Sequence, residues 1–183
     1  EIKTVTFSII DVDEYVLKYC IDGFAGIYPC NNYDLVGHID LTTLGGNSGN
    51  DCWGWTDPSS GKEYALMGLN TGTSFIDISD LEFPRIVGFL PTHTTNSSWR
   101  DIKTYGNYAF IVSEASGHGM QVFDLTKLGE IAVGTSPVNF TEDAHYAGFG
   151  DAHNIVINDS QGYAYAVGTN TYNGGPHFVD ISN

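Results

Sequence analysis

Positive charge is scarce in this sequence, where 7 lysines and arginines stand against 22 acidic residues for a net charge of -15. A field of that sign repels nucleic-acid phosphates and anionic lipid headgroups, which excludes nucleic acid as a partner. Long apolar runs are also missing. No stretch approaches the roughly 18 residues a membrane helix needs, so no membrane insertion is expected within the chain. The start at Glu1 shows neither an initiator Met nor a basic region followed by an apolar one, which places any signal peptide or anchor outside these residues. Local catalytic signatures are absent as well: there is no GxSxG elbow, no phosphate-binding glycine loop and no CxxC pair, and Ser113 beside Glu114 makes no triad.

Cysteine is limited to Cys20, Cys30 and Cys52. The first two bracket a Gly-containing loop, CIDGFAGIYPC, that can fold back and bring the sulfurs together, which reads as a disulfide of an oxidising compartment. Cys52, between Asp51 and Trp53, reads as a small buried strand residue, with an intermolecular bond as the alternative. The triplets at Asn96, Asn139 and Asn158 place glycosylation acceptors in polar, turn-like stretches and point to the secretory pathway. The acidity serves solubility or answers a calcium-rich exterior, since carboxylate oxygens are hard ligands.

What the chain does have is repetition. The apolar segments Tyr64-Ala65-Leu66-Met67-Gly68, Tyr108-Ala109-Phe110-Ile111-Val112 and Tyr163-Ala164-Tyr165-Ala166-Val167 align as repeats of one short strand. Each leads into a second strand of one type, Phe75-Ile76-Asp77-Ile78-Ser79, Val122-Phe123-Asp124-Leu125-Thr126 and Phe178-Val179-Asp180-Ile181-Ser182. The spacing of roughly 45 to 55 residues is that of propeller blades. Candidate first strands lie around Trp53–Thr56, Trp99–Tyr105 and His153–Ile157, and Arg85–Leu90 reads as a fourth, outer strand of the first repeat. Helix signals are sparse, and 22 glycines with many β-branched and aromatic residues argue for an all-β chain. The expected architecture is therefore about three four-stranded antiparallel β-propeller blades, near 38–92, 93–140 and 141–183 with the last incomplete, after an N-terminal segment 1–37 that serves as a strand or cap. Propellers close with about four to eight blades, so the three belong to a larger propeller or to an assembly of copies. The recurring Asp77, Asp124 and Asp180, each with a hydroxyl residue two places on, read as turn fasteners that accept backbone N–H bonds.

Several stretches resemble the choice-of-anchor B family of exported proteins, related to the LVIVD-repeat β-propellers. They are Ala25–Cys30 (AGIYPC), Asn50–Asp57 (NDCWGWTD), Ser98–Lys103 (SWRDIK), Ser113–Asp124 (SEASGHGMQVFD) and Asp151–Ile157 (DAHNIVI). The resemblance spans about residues 20 to 183 and implies an extracellular or surface-tethered propeller. It carries no residue-by-residue activity. Cys52 stands where the family pattern has an aliphatic residue.

In a propeller the start of each first strand and the turn after each second strand meet near the axis. That geometry selects Asp51, Trp53, Arg100, Asp101, His153 and Asn154 from the strands, and Asn70, Glu114, His118, Asn170 and His177 from the turns. Asp51, Trp53, Asn70, Arg100, Asp101, Glu114, Asn154 and Asn170 are the candidate ligand-binding residues. His118, His153 and His177, with Asp101 or Glu114 nearby, form a candidate zinc set, and calcium is the other metal in play. Asp143 and His145 could extend the site. The opposing reading is that His118 and His177 cap Gly-rich turns while Arg100 pairs with Asp101 or Glu114. Trp53, Trp55 and Trp99 could stack on sugars or serve as core. The function expected is an extracellular or cell-surface binding and structural module with protein, glycan or self-association contacts. The alternative is a metal-dependent hydrolase or lactonase with a metal-activated water.

Overall fold

The computed structural model describes residues 17–182. They divide into two compact units, one made of the described residues up to His38 together with Leu81–Phe83, the other of Ile39–Asp80 and residues from Pro84 onward. The expected strand or cap over 1–37 therefore lies in part, at 1–16, outside the described residues. In the smaller unit β1 (Phe24–Ala25) and β2 (Tyr28–Pro29) form a short antiparallel ladder. The Cys20–Cys30 disulfide joins the two ends of this loop.

The larger unit opens with α1 (Leu41–Leu44), a single turn capped by Asp40, whose carboxylate accepts the Thr43 N–H at 2.8 Å. Beyond it the regular structure among the described residues is mostly β, with 3-10 turns at Leu125–Glu130 and Tyr172–Gly174. The strands are β3 (Gly49–Thr56), β4 (Glu63–Leu69), β5 (Gly72–Asp77), β6 (Arg85–Pro91), β7 (Arg100–Tyr105), β8 (Tyr108–Ser113) and β9 (Met120–Asp124). They are followed by β10 (Val138–Asn139), β11 (Ala144–Tyr146), β12 (Asn154–Asn158), β13 (Tyr163–Val167) and β14 (His177–Asp180). The strands build three successive sheets: β3-β4-β5-β6 with β10 added at the outer edge, β7-β8-β9 with β11 added, and β12-β13-β14. None closes into a barrel. Within each sheet, chain neighbours pair antiparallel, because short Gly-bearing turns return the chain directly.

Two outer strands depart from the expected segmentation. β10 runs parallel to β6, with Val138 opposite Gly88, and so lends the first sheet a strand from beyond the second. β11 then pairs back on β9, so the fourth strand of the second sheet comes from residues after 140.

Alternation along each strand decides what is buried. The first strands β3, β7 and β12 lie side by side, and the sheets pack face to face outward from them. Between the first and second sheets lie Trp55, Tyr64, Leu66, Phe75, Ile102, Ala109, Ile111 and Phe123. Phe110, Val112, Met120, Ile155, Ala164, Ala166 and Val179 fill the space between the second and third. Phe75 stacks on Phe123 with ring centres 4.7 Å apart. Each fully buried side chain of this size contributes about 1.5–3 kcal/mol relative to exposure.

The turn fasteners form as their sequence requires. Asp77, Asp124 and Asp180 accept the backbone N–H groups of Ser79, Thr126 and Ser182 at 3.1, 3.0 and 3.0 Å. Cys52 is on a strand but is exposed rather than buried. Trp53 and Trp55 take the face of β3 that turns to the second sheet, and alternation sends Cys52 to the opposite face.

Candidate functional site

The starts of the first strands meet through a repeated hydrogen bond. Asp51, which opens the first sheet, accepts the N–H of Ile102 in the second at 2.8 Å. Asp101, one repeat later, accepts the N–H of Ile155 in the third at 2.7 Å and the Asn154 Nδ2 at 3.1 Å. The carboxylate of each sheet thus takes a backbone donor from the next. Asp51 sits at a left-handed φ of 58°, which Asp tolerates, beside a register shift in β3. Lys103 joins the two acids, with its ammonium 2.5 Å from Asp101 and 3.3 Å from Asp51. It also lies 4.4 Å from the Trp53 ring centre, so part of its charge is answered by the indole face.

Burial and the neighbouring Asp101 carboxylate raise the Asp51 carboxyl above its ordinary range. Asp101 goes the other way. Burial opposes its charge, but bonds from Asp51, Lys103 and the Ile155 N–H outweigh burial and hold it below the ordinary range.

A second network surrounds Arg100, which is 1% exposed. Its Nε donates to the Leu69 carbonyl at 3.0 Å and its Nη1 to His118 Nε2 at 3.0 Å. His118 Nδ1 faces the Gly119 carbonyl at 3.1 Å, so the imidazole is the neutral tautomer with its proton on Nδ1. Burial, with the Arg100 charge beside it, lowers the His118 pKa to about 4. Arg100 itself is lowered by burial to about 10 and stays charged. The expected pairing of Arg100 with Asp101 or Glu114 does not occur: Lys103 takes Asp101, and Glu114 bonds His153. His145 Nε2 donates to the His118 carbonyl at 2.7 Å and stacks on His93 at 3.7 Å, while His93 Nδ1 donates to Glu142 at 2.7 Å. Arg100 Nη2, Gln121 Oε1 and Glu142 Oε2 are buried without a partner.

The remaining sequence candidates serve local ties. Asn70 Oδ1 accepts the N–H groups of Asn47 and Ser48, and Asn170 Oδ1 accepts that of Gly150. His177 is held between Tyr146 Oη at 2.8 Å and Thr171 Oγ1 at 3.0 Å. His118, His153 and His177 thus belong to three separate networks, and among the described residues no group of three His, Cys, Asp or Glu stands where one ion would be held. Asp143 ties to Lys127 and accepts the Asp124 N–H at 2.8 Å. Asn96 and Asn139 are exposed, whereas Asn158 is half-buried and fastens its own turn through Ser160. Among the described residues no helix is long and apolar enough to cross a membrane.

Sequence reasoning passed over Lys103, His93, Gln121 and Glu142. Lys103 had a signal, since it lies two places after Asp101 on the same strand. The others had none, because their contacts join distant segments. No family model, curated protein or solved structure matches the chain.

Proposed function

We propose that the chain is part of an exported β-propeller of the choice-of-anchor B type that serves as a binding and structural module at the cell surface. The observation that carries this reading is where the polar groups at the strand starts are used. Asp51, Asp101, Asn154 and Lys103 join sheet to sheet, and Arg100 and His118 bond each other in the interior. Groups committed in this way hold a scaffold, which leaves recognition of protein or glycan to the exposed turns. The side-by-side first strands, the recurring Asp turns and the Cys20–Cys30 bridge support a propeller of an oxidising compartment. Asn96 and Asn139 are exposed acceptors for glycans there.

Elemental mass spectrometry of the extensively dialysed protein, beside a His153→Ala variant, tests the reading. A module retains no stoichiometric transition metal. Zinc bound one to one in the parent and lost from the variant would overturn it in favour of a hydrolase.

A further inference from the structure

The three tryptophans meet different fates. Trp55 is buried in the core between the first two sheets. Trp53 is partly open, but its Nε1 donates to Thr104 Oγ1 at 3.0 Å and the Lys103 ammonium sits over its ring. Trp99, just before β7, is 50% exposed, and its indole N–H bonds none of the described residues. An indole left open in this way forgoes the burial that an aromatic ring in a β-repeat ordinarily gains.

The backbone fixes what stands beside it. The Trp99 carbonyl accepts Ser113 Oγ at 2.9 Å and the Glu114 N–H at 3.3 Å, and the Ser113 carbonyl accepts the Ala152 N–H at 3.0 Å. Glu114 is thereby carried to the indole from the turn after β8, and His153 from the start of β12. The Glu114 carboxylate bonds His153 Nδ1, and the imidazole centre lies 5.8 Å from that of the Trp99 ring. That bond holds the proton of the neutral ring on Nδ1 and leaves Nε2 as an acceptor. Both side chains are accessible, His153 at 50% and Glu114 at 37%. The group therefore offers one apolar ring face, two acceptors in His153 Nε2 and the second Glu114 oxygen, and one donor in Trp99 Nε1–H.

We propose that this group binds a neutral pyranose ring of a glycan, with a C–H face of the sugar on Trp99 and neighbouring hydroxyls on Glu114 and His153. The proposal rests on the module reading, of which it names the ligand class and the place. A pyranose is apolar on its face and hydroxylated at its rim, which is the pattern the three side chains present in reverse. A protein partner needs a contiguous apolar patch. The exposed residues of the segment leading to Trp99 are Thr94, Thr95, Asn96 and Ser98, so the indole stands alone among small polar groups. A carboxylated or sulfated sugar would meet Glu114 and the net charge of -15. A cationic ligand is held best among several aromatic faces, whereas here one indole stands beside a carboxylate already bonded to an imidazole.

NMR titration of the chain tests this, with neutral oligosaccharides of glucose, galactose, mannose and N-acetylglucosamine as probes and tetramethylammonium as a separate one. The expected result is millimolar binding of at least one oligosaccharide, with saturation transfer strongest at its ring C–H protons and a shift of the Trp99 Nε1–H signal. Trp99→Ala should weaken that binding at least about tenfold, and the isosteric Glu114→Gln at least about threefold. Both positions are exposed, so the variants keep the fold, which their backbone amide spectra check. The proposal is overturned if no oligosaccharide of the set binds, if binding survives Trp99→Ala, or if the Trp99 signal answers only to tetramethylammonium. A chain that holds no stoichiometric metal and binds none of the sugars would lose this ligand class alone and keep the module reading. Zinc held through His153 would instead remove the module reading itself.

Discussion

Asp101 accepts four hydrogen bonds, from the N–H groups of Ile102 and Ile155, from Lys103 and from Asn154. Its removal strands the buried Ile155 N–H and takes from Lys103 the nearer of its two carboxylates, whereas Asp124 fastens only its own turn. Asp101→Ala should therefore cost about 3 kcal/mol in a denaturant titration and Asp124→Ala about 1 kcal/mol. Equal losses would show that the bond between sheets adds nothing to the fold. The change from Asp51 and Asp101 to Asn154 at the strand starts also has a local cause. Lys103 stands between Asp51 and Asp101, but the equivalent position beside Asn154 is Val156, so a third carboxylate would meet Asp101 without a cation. An amide donates to Asp101 instead. His118 makes stability depend on pH. Its folded pKa of about 4 lies below the unfolded value near 6.5, so the unfolded chain binds the proton first. The contribution of the neutral ring is complete above pH 6.5 and is lost as pH falls toward 4, in total about 3 kcal/mol. Asp101, held low, loses its contribution at lower pH, below its unfolded value of 3.8. Unfolding free energies measured across this range should fall with acid in the parent and flatten in His118→Gln; an unchanged slope in the variant would assign the dependence to other groups.

Among the elements, β10 is held by close approach. A Cβ on Gly88 would come within 2.3 Å of the Phe140 ring and 2.6 Å of the Val138 carbonyl, so no side chain fits between β6 and β10. Gly88→Ala should push β10 off the edge at a cost of about 2 kcal/mol, seen as faster amide exchange at Phe140, whose N–H bonds the Phe89 carbonyl. Exchange as slow as in the parent would mean that the edge absorbs the methyl. The central strands of every sheet were legible in the sequence because Tyr64, Tyr108 and Tyr163 each begin a period-two run that ends near an Asp turn. β10 and β11 were not legible. Strands of two and three residues show no period, and their pairing depends on which distant edge is open.

Across the whole molecule, the all-β class and the Cys20–Cys30 bridge followed from composition and spacing, since both rest on local chemistry. The interior of the site did not. Arg100 next to Asp101 invites an ion pair on paper, but alternation along β7 turns neighbouring side chains to opposite faces, and the guanidinium enters the core to meet His118. Cys52 was misplaced for a related reason: burial on one face of a strand depends on whether a further sheet covers it. The sharing of outer strands gives the chain an uneven modularity. Residues 138–139 belong to the first sheet and 144–146 to the second, so the piece of sequence that could be duplicated, deleted or transplanted does not coincide with the sheet it encodes. Excision of the second repeat through 146 would strip the rim of the first, which makes this pair of sheets one heritable unit.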